Sequence, residues 1–168
     1  MRVDRPKISV PYEQVDIAME LIGITLLLGI WLFPLLNYSE LPESIPLHFN
    51  AQGDADDFGS KMTIWILPGI GTVTFFLLFI LNKFPHLHNY MVNITEENAL
   101  INYRLSTRLL RFINMFCMII FAAIIYDIVS ISKGSHPKIL NIWFLTVTII
   151  IPIIAAVITI RYQNKINK

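Results

Sequence analysis

The stretch from Ile139 to Ile160 reads ILNIWFLTVTIIIPIIAAVITI and contains no Asp, Glu, Lys or Arg. At about 1.5 Å rise per residue, about 20 helical residues cross the roughly 30 Å hydrocarbon layer of a bilayer. Three further runs are nearly as apolar, residues 17–36, 62–81 and 109–131, each 20 residues or longer. A large soluble protein can bury one such helix, but four of them in 168 residues leave no amphipathic helices to cover the others. The chain is 55% hydrophobic and 15% charged, with a mean hydropathy of +0.60; an average soluble domain is roughly 25% charged. These properties specify an all-α integral membrane protein, a single membrane domain over residues 1–168. It has four transmembrane helices, the lipid bilayer as its partner, and a folded extracytoplasmic loop, residues 37–61, between helices 1 and 2.

The net charge of +1 argues against nucleic acid as a partner, since nucleic-acid binders concentrate basic residues on one face. The lone Cys117 excludes an internal disulfide and any cysteine-cluster metal site. Arg2, Arg5 and Lys7 precede the first run as in a signal peptide, but the apolar part is too long and Pro34-Leu35-Leu36-Asn37 offers no small-x-small cleavage site. An uncleaved first span is expected. Orientation follows the bias of Lys and Arg. Ten of the thirteen lie in the two tails and in the second connection, residues 82–108 with Arg111 just beyond it, and only Lys61, Lys133 and Lys138 lie opposite. The expectation is a plasma-membrane protein with both termini and the second connection cytoplasmic. The first loop then faces outward, carrying Glu40, Glu43, Asp54, Asp56 and Asp57 against Lys61.

Three charged residues fall within or near the spans. Glu20 and Arg111 sit near the starts of spans one and three, where they can pair or each reach the interface alone. Asp127 lies near the far end of span three, either as a functional acid or simply wet. Pro68 with Gly69 and Gly71, and Pro152, are expected to weaken helices 2 and 4. Kinks of this kind either serve packing or, as in transporters, shape a binding site.

The outer loop is the most patterned segment. Pro42 and Pro46 set an extended entry, Leu47 to Asn50 can form a short strand, and Gly53 and Gly59 mark tight turns. Asn50, Gln52, Asp54 and Asp56 are spaced as in a calcium loop, but Lys61 stands where the bidentate acid belongs. His48 with Asp56 lacks further zinc ligands. No metal or cofactor is expected. His48, Phe49, Asn50, Gly53, Asp56, Gly59, Ser60 and Lys61 either bind a protein or peptide partner or lock the loop over the helix ends.

The pattern Leu-Pro-x-x-Ile-Pro-x-His-Phe-Asn-x-x-Gly-x-x-Asp-x-Phe-Gly-Ser-Lys, residues 41–61, resembles the signature of domain-of-unknown-function family 1648, a bacterial and archaeal membrane domain found in SdpI-type immunity proteins. The connection Asn89-Tyr90-Met91-Val92-Asn93-Ile94-Thr95-Glu96-Glu97-Asn98-Ala99, followed by Tyr103-Arg104-Leu105, is also similar to that family, with Met91 in place of a proline. The resemblance covers most of residues 25–130. It implies a multi-pass membrane domain. SdpI-type proteins protect a cell against a secreted toxin and can hold a transcriptional regulator at the membrane; they are longer and carry an additional membrane region that this chain is expected to lack.

The second connection also reads on physical grounds. Thr95 is an expected N-cap with Glu96 and Glu97 in the first turn of a helix that runs into span three. Arg104, Arg108 and Arg111 share one helical face, as a stripe against anionic headgroups or a docking face for a cytoplasmic regulator. His86 and His88 lack the companions of a metal site. No nucleophile or metal set accompanies His48 and Asp56, so an enzyme is not expected. Envelope sensing, signalling or immunity through the outer loop leads, with a small transporter or channel subunit as the alternative.

Overall fold

The computed structural model describes residues 5–136 and 139–168. Arg2 and Lys138, two of the basic residues that set the expected orientation, lie outside the described residues. Four long helices carry the chain: α1 (Gln14–Asn37), α2 (Ile66–Leu81), α3 (Ala99–Ser132) and α4 (Ile142–Ile166). All four belong to segments long and apolar enough to cross a membrane, which fits an all-α, multi-pass membrane protein. Between α1 and α2 the expected folded loop is a β-hairpin of β1 (Ser44–Phe49) and β2 (Ala55–Ser60), paired antiparallel with Ser44 opposite Ser60 and Phe49 opposite Ala55.

Local chemistry explains the boundaries. Glu13 caps α1, its N–H donating to the Asp16 carboxylate at 3.0 Å. The hairpin turn is built on Asn50, whose side-chain oxygen accepts the N–H groups of Gln52 and Asp54 at 2.9 and 3.0 Å. Gly53 closes it at φ +82°. Pro68 falls in the first turn of α2, after a 3₁₀ segment over Lys61–Trp65. Amides in a first turn lack helical carbonyl partners in any case, so the expected weakening of helix 2 at Pro68 is replaced by a helix start. Pro152 does lie inside α4. The helix before span three starts at Ala99 instead of Thr95: the Thr95 N–H is taken by the Asn98 side chain at 2.8 Å, which holds residues 95–98 in a turn.

α3 is the axis of the bundle and packs against α1, α2, α4 and β1. Its 34 residues make it roughly 50 Å long, well beyond one hydrocarbon layer. The core joins Ile30 of α1, Ile45 of β1, Phe75 of α2, and Met118, Ile125, Ile128 and Val129 of α3. Gly71 lets α2 approach closely, since a Cβ there would sit 2.7 Å from the Ile30 Cδ1. α4 is different in kind. Its one buried residue is Gln163, and Trp143, Ile149, Ile153 and Ile158 are among its exposed side chains.

The two ends of the bundle are distinct. The Tyr103 hydroxyl donates to the Pro6 carbonyl at 2.9 Å, and Asn98 donates to the Asn167 side chain at 2.7 Å, so both termini meet the start of α3. The hairpin lies at the opposite end. There the Ile142 N–H donates to the Ala51 carbonyl at 2.9 Å, tying the hairpin turn to the first residue of α4. A Cβ on Gly53 would lie 3.0 Å from the Leu140 carbonyl, whereas one on Gly134, at φ +83°, would meet open space. Left-handed backbone costs a non-glycine residue about 1–2 kcal/mol. Gly53→Ala is therefore expected to lower the midpoint of thermal unfolding in detergent, followed by a thiol probe on Cys117, and to lower it more than Gly134→Ala does. Equal shifts would mean that contact with Leu140 adds nothing.

Candidate functional site at the two ends of the bundle

At the hairpin end the motif residues divide by role. Ser60 accepts the Met62 N–H at 3.3 Å, and the Lys61 ammonium pairs with Glu43 at 2.7 Å while lying over the Tyr38 ring. Phe49 is half-buried against the core. Gly59 accommodates Leu47, whose Cδ1 would lie 2.5 Å from a Cβ. With Asn50 and Gly53 in the turn, these residues lock the loop. His48 and Asp56 are the exception: the imidazole Nδ1 and the Asp56 carboxylate pair across the two strands, and both side chains are exposed. Among the described residues no further His, Cys, Asp or Glu joins them in a group that could hold a metal ion.

Beneath the hairpin, Asp127 is fully buried, and its Oδ2 accepts the Leu140 N–H at 2.9 Å. This excludes the wet alternative: the acid brackets the connection on which the hairpin turn rests. Its Oδ1 has no partner among the described residues. Lys133, at the end of α3, pairs with Glu40 and donates to the Asn37 side chain at 2.8 Å. The hairpin and the α3–α4 connection are thus joined by backbone and glycine contacts, and Lys133 ties that connection to the end of α1.

At the opposite end α1 and α3 run parallel and are fastened by a ladder of ion pairs. Glu13 meets Arg104 at 3.0 Å and Arg108 at 2.7 Å; Asp16 meets Arg108 at 3.1 Å and Arg111 at 3.5 Å; Glu20 meets Arg111 at 2.8 Å. Asp16 is 1% exposed and Arg111 7%. The Arg111 guanidinium also stacks over Tyr12, whose hydroxyl donates to Glu20 at 3.1 Å. The three arginines therefore face α1, neither forming a headgroup stripe nor offering a docking face. Glu20 and Arg111 do pair. Sequence reasoning missed Glu13 and Asp16, although a signal was present: acids at 13, 16 and 20 step by three and four, and arginines at 104, 108 and 111 step by four and three.

The second connection folds around aromatic rings. Tyr90 is buried beside Tyr103, ring centres 5.6 Å apart, and beneath the Arg5 guanidinium; its hydroxyl donates to the Pro85 carbonyl at 2.9 Å. Burial pushes the Tyr90 hydroxyl up to about 12. Asn89, Thr95, Glu96 and Glu97 are exposed. Asn98 and Asn102 instead join Asn167 and Gln163 in an amide cluster that fastens the end of α4. His88, passed over as a metal ligand, is buried with Nδ1 2.7 Å from the Ser106 hydroxyl and Nε2 3.0 Å from the Leu81 carbonyl. A neutral ring with its proton on Nε2 satisfies both contacts.

Residues 22–72 match the model of the family described as Domain of unknown function (DUF1648). The match runs from within α1 through the whole hairpin into the first turns of α2. An uncharacterized protein of Archaeoglobus fulgidus is 45% identical over 65 residues, which are 39% of this chain and 34% of that relative. The chain thus matches about a third of the relative's length. No solved structure matches the chain. The DUF1648 match contains the hairpin and its motif and neither side of the ladder, since it begins after Glu20 and ends before Arg104.

Two predictions come from this geometry. Removing one member of a buried ion pair leaves the other uncompensated, at about 3–5 kcal/mol, whereas an exposed pair contributes about 0–1. Asp16→Asn is expected to destabilise the detergent-solubilised protein far more than Glu13→Gln; comparable losses in unfolding midpoint would show that burial does not set the ladder's strength. The second prediction concerns pH. Burial holds the His88 imidazole below its ordinary value of 6.5, against the opposing effect of the Leu81 hydrogen bond. The unfolded chain therefore takes up this proton first, and the stability from His88 is complete above pH 6.5 and is lost as the pH falls from there toward the folded value. The unfolding midpoint is expected to drop between pH 7 and 5 by less in His88→Gln than in the parent. An identical slope would remove His88 as the cause.

Proposed function

We propose that this chain is a plasma-membrane protein with both termini in the cytoplasm, whose hairpin binds or senses an envelope or secreted component in an immunity-like or signalling role without an enzymatic step. One observation carries the reading. The hairpin is folded and tied to the bundle through Ala51, Gly53 and the Asp127-bracketed connection, yet it keeps the His48–Asp56 pair and Phe58 exposed. A loop that merely joined two spans needs no such anchoring. The bias of Lys and Arg toward the termini supports the orientation, and the resemblance to SdpI-type proteins supports the role. The matched segment of 22–72 holds the hairpin itself. With Arg104, Arg108 and Arg111 turned to α1, Glu96 and Glu97 are among the exposed side chains of the second connection that remain for a cytoplasmic regulator. The cavity beside Arg111, lined by α1, α2 and α3, measures about 10 Å³. That is room for about one water and lends the transporter alternative little support.

Orientation and role are tested separately. On a Cys117→Ser background, Gln52→Cys is expected to react with an impermeant maleimide on intact cells and Lys165→Cys only after permeabilisation; the reverse would invert the topology. The double variant His48→Ala/Asp56→Ala is expected to keep the unfolding midpoint and to reproduce the phenotype of the deletion strain under envelope stress or challenge with secreted peptides. Wild-type behaviour in every such challenge would sink the binding role.

A further inference from the structure

The hairpin has two strands, and each has one edge turned away from its partner. β1 packs on α3 and buries Ile45 and Pro46. β2 is open: Asp56, Asp57, Phe58 and Ser60 are exposed along it. The Phe58 N–H donates to the Oδ1 of neighbouring Asp57 at 2.9 Å, and Pro46, opposite it, has no N–H to give. This amide is shielded by a short local bond that an incoming carbonyl can replace.

Charge decides what can come in. Residues 37–60 contain five acids and no Lys or Arg; Glu40 and Glu43 are paired with Lys133 and Lys61, whereas among the described residues no Lys or Arg pairs with Asp56 or Asp57. Asp56 and Asp57 are consecutive and exposed on β2, where register shifts flank the His48–Asp57 pair, and an added strand meets two carboxylates there. A second copy of this chain would bring the same two acids against them, which is repulsive. Phe58, 55% exposed, offers an apolar contact between the charges.

We propose that the open edge of β2 receives an extended cationic peptide segment of another polypeptide as a third strand. The proposal rests on the reading of the hairpin as a binding surface and names the chemistry of its partner. Backbone hydrogen bonds along β2 hold the segment, and Lys or Arg side chains meet Asp56 and Asp57 once the latter releases the Phe58 amide.

The test uses the full chain in phosphatidylcholine nanodiscs, which carry no net charge. The probe is a fluorescent peptide of about eight residues, a usual strand length, alternating Lys with Val and Thr. It is compared with its Glu-for-Lys counterpart and with a version N-methylated at alternate backbone nitrogens. The Lys peptide is expected to bind, and to bind at least tenfold more weakly when N-methylated, when replaced by the Glu peptide, or when offered to Asp56→Lys/Asp57→Lys with an unchanged unfolding midpoint. No binding, equal binding of the Lys and Glu peptides, or indifference to N-methylation would overturn the added strand. If the strand fails while His48→Ala/Asp56→Ala still changes the cellular phenotype, the hairpin stands as a partner surface of other chemistry.

Discussion

The carboxylate of Asp16 accepts the N–H that starts α1 and binds two arginines of α3, 92 and 95 residues away in the chain. Helices in lipid gain little from burying apolar side chains against one another, because the surrounding acyl chains are equally apolar. Their arrangement has to be fixed by close packing and by polar contacts at their ends. Asp16 supplies that contact for α1 and α3, which share the broadest packing in the bundle and are joined further by Glu20 and Arg111, with Tyr12 against the guanidinium. With that register set, Gly71 can bring α2 against Ile30 and the core over Phe75 and Met118 can close.

The same logic governs the other end with different groups. Asp127 holds Leu140, Ala51 accepts from Ile142, and Lys133 joins Glu40 and Asn37, so the hairpin, α3 and the start of α4 form one unit. α4 is fastened at both ends, by these bonds and by the amides of Asn102, Gln163 and Asn167, while its middle lies half-exposed on α3. Contacts concentrated at the ends leave such a helix the least restrained of the four along its length.

Much of this was legible in the sequence. Four apolar runs gave four helices, and the Pro, Asn and Gly pattern of residues 41–61 gave a folded loop, because both signals are local and repeat with the geometry of one element. His48 and Asp56 were singled out together and do pair. The misses have a common cause. Pro68 read as a kink because hydropathy marks the apolar run but not the 3₁₀ turn that delays α2. Asn102, Gln163 and Asn167 are ordinary polar residues near helix ends, and their value as a cluster depends on where the end of α4 comes to rest.

The sequence by itself determined which segments enter the bilayer, that the segment between the first two would fold, and where acids and arginines recur at helical spacing. Only the tertiary structure decided that the acids of α1 and the arginines of α3 are each other's partners, that Asp127 is a bracket, and that β2 has an open edge. Hydropathy and turn preference act within a few residues, whereas an ion pair or a strand edge depends on the relative register of elements distant in the chain, which no local pattern encodes.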